Sequence, residues 1–110
     1  MFYYVYLLQS LKYKDKLYIG STADLKKRVA KHNRAVNFST RPYAPWRLIF
    51  YEAYLYKEDA KRREKYLKTS KGAKIIKQML KEYFKSSWVV EKLSQISSTW
   101  YGHNKKNQAD

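Results

Sequence analysis

The chain has no cysteine, which excludes thiolate metal sites, thiol nucleophiles and disulfides and fits a reducing compartment. Acids are scarce too: nine Asp and Glu stand against twenty-four Lys and Arg. No apolar run is long enough to cross a bilayer and no lipidation signal is present, so a membrane is set aside as partner. The opening MFYYVYLL has no basic residues ahead of its apolar run and no small-residue cleavage site. It reads as a strand rather than a signal peptide, and a cytoplasmic location is expected. A glycine-rich phosphate loop and a serine–histidine–carboxylate pattern are also missing, which argues against several common enzyme classes.

What is present is positive charge and aromatic surface. A net charge of +15 on 110 residues exceeds what solubility needs and attracts polyanions, so nucleic acid is the expected partner, DNA ahead of RNA. With 45% apolar residues and no internal repeat, the chain can bury one modest core in one domain.

The aromatic and β-branched runs 2–8 and 16–21 flank a basic, turn-like insert and predict a hairpin that makes Tyr6 and Tyr18 neighbours. Asp24 precedes LKKRVAKHNRA, where Leu25, Val29, His32 and Val36 recur at spacings of three and four, predicting a helix over 24–34. A proline-bearing loop through Trp46 follows, then a third strand over 47–55. Helices are expected over 57–68 and 71–85, separated by a break at Thr69, Ser70 and Gly72. The order predicts an α+β domain over 1–86, with a small three-stranded, mainly antiparallel sheet covered by helices. Residues 87–110 read as a tail, partly helical or disordered.

Two side chains violate the local pattern. Glu64 shares a helix face with Ala60 and Leu67, so it should point inward, where it is either neutralised by arginine, hydrogen-bonded to buried tyrosines, or a metal ligand. The other acids fall in turns, caps and polar faces or, for Glu52, on a strand of ambiguous facing. His32 lies on the apolar stripe of its helix, with Arg28 one turn earlier at the edge. A histidine so placed is usually a hydrogen-bonded core residue, and an arginine at such a rim usually a snorkelling surface charge. One inward carboxylate is too few for a glycosidase pair or a two-metal nuclease, which leaves a single-metal site open.

Taken in order, YVY at 4–6, YIG at 18–20, LKKRVAKHN and REKYLK closely resemble the GIY-YIG nuclease superfamily, especially small stand-alone bacterial members related to the N-terminal domain of the bacterial repair excinuclease. The resemblance covers about residues 2–85. It implies metal-dependent endonucleolytic hydrolysis of DNA, structure-selective, in repair or nucleic-acid processing, with one divalent ion, Mg2+ or Mn2+. The residues matching its catalytic positions are Tyr6, Tyr18, Arg28, His32 and Glu64. The implied roles are Tyr18 as base, Tyr6 orienting water or phosphate, Arg28 clamping phosphate, Glu64 holding the metal and His32 orienting Tyr18 or relaying its proton. A free tyrosine has a pKa of about 10, so a tyrosinate base needs a metal or a guanidinium nearby. Gly20 is expected to allow close approach in the groove. Tyr4-Val5 replaces Gly-Ile ahead of Tyr6, and Ser21 stands where the excinuclease branch carries a lysine.

For nucleic-acid contacts the sequence offers Lys26, Lys27, Lys31, Arg41, Arg47 and the lysine-rich last helix for phosphates, with Tyr43 and Trp46 to stack on unpaired bases. The alternative is a non-cleaving nucleic-acid-binding module that uses the same basic groove. A third reading, an interaction protein recruiting a partner through its tail, rests only on Trp88, Val89, Leu93, Ile96 and Trp100. Without a zinc finger or helix-turn-helix to read bases, any preference is expected to be for structure.

Overall fold

The structure, a computed structural model, describes residues 1–86. The expected tail therefore lies outside the described residues. Strands β1 (Tyr3–Ser10) and β2 (Leu17–Thr22) form the hairpin, with Tyr6 opposite Gly20 and Leu8 opposite Tyr18. Strand β3 (Trp46–Tyr54) pairs antiparallel with the other side of β1, giving the order β2-β1-β3. The central strand is buried on both faces, which is why YVYLL is an unbroken apolar run rather than an alternating one.

Each face of the sheet has its own core. On one, Val5, Leu7, Leu17 and Ile19 pack against Ala60, Leu67, Ala73, Ile76 and Phe84 of helices α2 (Lys57–Leu67), α3 (Ser70–Met79) and α4 (Lys81–Lys85). On the other, Tyr6, Leu8, Tyr18 and Trp46 pack beneath helix α1 (Leu25–Asn33), which contributes Leu25 and Val29. The Asp24 side chain caps α1 by accepting from the backbone N–H of Lys27.

Three expectations are corrected. Helix α1 stops at Asn33, so its stripe ends at His32 and Val36 is exposed. The expected last helix divides at Leu80, and the turn brings Tyr83 to Gln9 at the end of β1 and Phe84 into the core. The break before it is short: Thr69 caps α3 by accepting from Gly72 N–H, which places Gly72 inside the helix.

Glu52 on β3 fastens α2 to the sheet. Arg63 donates to both of its oxygens, at 2.9 and 3.0 Å, and Tyr54 donates to one of them at 2.8 Å. That carboxylate holds the Arg63 pKa above its ordinary value, and burial with the Glu52 bond raises the Tyr54 phenol. No helix among the described residues is long and apolar enough to cross a membrane.

Candidate active site

The hairpin register and the α1 stripe bring Tyr6, Tyr18 and His32 together. The two tyrosine rings lie 6.4 Å apart, and the His32 ring sits 6.0 Å from Tyr6 and 5.1 Å from Tyr18. All three side chains are buried. His32 Nε2 is 3.1 Å from the Tyr6 hydroxyl and Nδ1 is 3.1 Å from Thr40 Oγ1, so the imidazole is held at both ends. Burial, and then the charges of Arg28 and Lys31, bring its pKa from 6.5 down to about 4, so the ring is neutral at pH 7. It was expected beside Tyr18. Its ring is beside Tyr18, but its nitrogen meets the hydroxyl of Tyr6.

Gly20 is part of this packing. A Cβ there would overlap the hydroxyl end of the Tyr6 ring, so the residue opposite Tyr6 must lack one. The expected close approach is real, but the group that approaches is Tyr6, and Gly20 is buried beneath it rather than open to a ligand.

Arg28 links this cluster to Glu64. Its Nη1 lies 3.5 Å from the Tyr6 hydroxyl, at the long limit of a hydrogen bond, and donates to the Ser21 carbonyl at 3.2 Å. The Ser21 side chain points to the opposite face and donates to Glu64 Oε1 at 2.6 Å. Lys68, one helical turn on, donates to Glu64 Oε2 at 2.9 Å, and Lys61 Nζ lies 3.8 Å from Oε1. Glu64 does point inward as expected, with 9% of its surface exposed. The partner that neutralises it is Lys68, itself 5% exposed, not arginine or the tyrosines; the neighbouring Arg63 is committed to Glu52. An ammonium does stand beside the carboxylate, therefore, but it comes from the residue that caps the C-terminus of α2 and not from position 21.

Glu64 is the carboxylate these contacts place at the site, and no group of three or more His, Cys, Asp or Glu that could hold a metal is found among the described residues. A magnesium-type ion, which takes one or two carboxylates and fills its other positions with water and phosphate oxygens, fits: each Glu64 oxygen has one bonded donor and a second lone pair.

Three depressions meet at Ala23, just past the end of β2. A cleft of about 250 Å³ is walled by Ser21, Arg28, Lys57, Ala60 and Lys61. A basic groove of about 420 Å³ follows α1 past Lys27, Arg28, Lys31 and Arg34. A third, between α1 and β3, is apolar and includes Lys26. Lys57, Lys61, Lys68 and Arg34 were missed in the sequence. The signal was there: Lys57, Lys61, Glu64 and Lys68 follow helical spacing along one line of α2.

The other proposed contacts are scattered. Trp46 is only 3% exposed and opens β3, its indole N–H donating to the Thr40 carbonyl, so it offers no face to a base. Asn33 of the histidine–asparagine pair bonds both the backbone N–H and the C=O of Trp46, fixing α1 to the start of β3. Tyr43 is half-buried between Trp46 and Tyr13, with Lys16 over its ring. Arg41 is exposed over Phe38, and Arg47 lies over Tyr83 on the sheet face opposite α1. Lys26, Lys27 and Lys31 remain exposed along α1.

In this small basic α+β domain, two hairpin tyrosines and a buried histidine thus gather beneath α1, and Arg28 and Ser21 connect them to the inward glutamate on the other face of the sheet. The family model described as the GIY-YIG catalytic domain matches residues 2–79, and the chain belongs to this family of nucleases, which act on nucleic acid and generally use divalent metals. It is similar to a UPF0213 protein of Clostridium perfringens (strain 13 / Type A), with 40% identity over 67 residues, spanning 59% of this chain and 69% of the relative. No solved structure gives a significant match.

Proposed function

We propose that the chain is a divalent-metal-dependent endonuclease that hydrolyses phosphodiester bonds in DNA, selecting its substrate by structure, in repair or nucleic-acid processing. The observation that carries the reading is the continuous path Tyr6–Arg28–Ser21–Glu64 beneath a cleft walled by Arg28, Lys57 and Lys61. A phosphate entering that cleft is met by three cations, of which Arg28 reaches on to Tyr6, while Ser21 in the cleft wall reaches on to Glu64.

Within this scheme Arg28 releases its carbonyl contact to hold a phosphate oxygen, and Lys57 and Lys61 place the flanking backbone. Tyr6 is the favoured proton acceptor, ahead of Tyr18, because its oxygen meets both a guanidinium and a neutral imidazole. An oxygen that accepts from Arg28 keeps its own proton to donate, which favours the tautomer with Nε2 accepting from Tyr6 and Nδ1–H donating to Thr40. Because its pKa of about 4 makes His32 a weak base, passing the Tyr6 proton to it requires Arg28, and the ion when bound, to stabilise the oxygen left behind. Tyr18 packs against both the imidazole and the Tyr6 ring and orients them. Glu64 would hold the ion, which when bound supplies charge neutralisation at the phosphate and a more acidic water.

The test is cleavage of branched, single-stranded and duplex DNA with Mg2+ or Mn2+. Tyr6→Phe removes one oxygen and should lower the rate about 100-fold or more, with cooperative melting retained at a somewhat lower temperature because the buried His32 nitrogen loses its partner. Glu64→Gln combined with Lys68→Gln, which leaves no buried ammonium uncompensated, should abolish metal-dependent cleavage and keep binding. A non-cleaving module would bind the same DNAs with none cut by the wild type, a reading favoured only by the existing Lys68 neutralisation of Glu64.

A further inference from the structure

The groove between α1 and β3 has no part in the scheme above. About 620 Å³ in volume, it is lined by Tyr4, Ala23, Leu25, Val29, Leu48 and Tyr51, with two charged side chains, Lys26 and Asp24, the carboxylate of the latter engaged in capping α1. Tyr51 is 52% exposed on the sheet face that α1 covers farther along β3, where Leu48 and Trp46 join the core. Its ring meets that of Tyr4 edge-on, with centroids 5.9 Å apart and planes at 67°. Tyr4 therefore braces Tyr51 from the side and leaves it a planar face, the arrangement that aromatic pairs prefer.

The position of the groove matters as much as its lining. Tyr51 lies directly across the strand pair from Tyr6, and Ala23 lines this groove, the cleft beside Glu64 and the basic groove along α1. A chain whose phosphate sits in the cleft and whose backbone follows Lys27 and Lys31 thus passes the mouth of an apolar, aromatic recess.

We propose that this recess takes an unpaired nucleobase adjacent to the phosphate held in the cleft, stacked on Tyr51 and braced by Tyr4. The proposal rests on the nucleic-acid reading of the site and deepens it by naming the substrate feature that site selects. Charge complementarity selects the occupant. A second copy of the chain would bring another +15 to a mouth already flanked by Lys26 and Lys27, whereas a nucleotide brings an anion and a π face together. A paired base cannot enter without unstacking, so flaps, single strands and frayed junctions gain over intact duplex.

The experiment is metal-free equilibrium binding, by fluorescence anisotropy, of a short single strand and of a strand of equal length with abasic sugars throughout. Wild type should bind the base-bearing strand more tightly. Tyr51→Ala and Tyr51→Leu, the second of which keeps apolar bulk in the strand, should each lose roughly 5- to 100-fold in affinity for it and nothing for the abasic strand. Tyr51→Phe should retain wild-type affinity, and the salt slope should stay unchanged. Equal losses on both strands, or no loss on either, would overturn the proposal while leaving the nuclease reading in place. A changed oligomeric state in the Tyr51 variants with unchanged strand affinity would identify a protein occupant and overturn it too. Failure of the wild type to bind either strand would overturn both readings.

Discussion

His32 is a buried imidazole between two hydroxyls, and that placement gives it a stability signature. Its folded pKa of about 4 lies below the ordinary 6.5, so between these values the unfolded chain binds a proton that the folded chain refuses. Stability from this group is complete above pH 6.5 and is lost as pH falls toward 4. The shift corresponds to about 3 kcal/mol at the acid end. Melting temperature followed from pH 7 to pH 4 should fall for the wild type and fall less for His32→Gln, which cannot titrate. Identical slopes would show that the ring protonates freely in the fold. The sequence disclosed that a histidine and a glutamate broke the apolar pattern of their helices, and periodicity alone suffices for that. It did not disclose Thr40 or Lys68, their partners. Thr40 reaches His32 only because the segment after α1 folds back under the helix, and nothing local to Thr40 encodes that return.

At the scale of elements, what was legible was whatever repeats with a short period. Strands and helices fell near their places because β-branched runs and three-four spacings are local signals. The division of the last helix at Leu80 was not legible, since no proline or glycine marks it; it follows from Tyr83 and Phe84 reaching the far end of the sheet. Gly72 looked like a breaker and proves to be a contact. A Cβ on it would overlap the carbonyl oxygen of Tyr66 and the Cα of Leu67, both backbone atoms that no side-chain rotation can move aside. Gly72→Ala therefore pits a gain in helix propensity, about 1 kcal/mol, against overpacking that costs about 1–3 kcal/mol or more. The rigid neighbour decides the sign, and overpacking wins. The melting temperature should drop by about 4 °C or more for a domain of this size. An unchanged or raised value would mean that α2 and α3 separate easily.

Over the whole molecule, the net charge of +15 announced a polyanion partner from composition alone, but composition could not say where the polyanion runs. The fold distributes the candidate contacts unequally. Lys27, Arg28, Lys31 and Arg34 share one groove and Lys57 and Lys61 the adjoining cleft, whereas Arg47 faces the other side of the sheet and Lys74 lines neither depression. If binding were a uniform response to net charge, removing any one lysine would weaken it equally. A defined track makes a different demand, because only cations that displace condensed counterions enter the salt dependence. The logarithm of affinity for duplex DNA should fall with the logarithm of salt at about 0.9 per phosphate neutralised, and Lys27→Gln or Lys31→Gln should each reduce that slope by about 1, alike on every sequence. Lys74→Gln carries the same change in net charge and should leave the slope nearly as it was. Anisotropy titrations across a salt series measure all three variants, and equal slope changes would place the polyanion on a diffuse cationic surface instead of along α1.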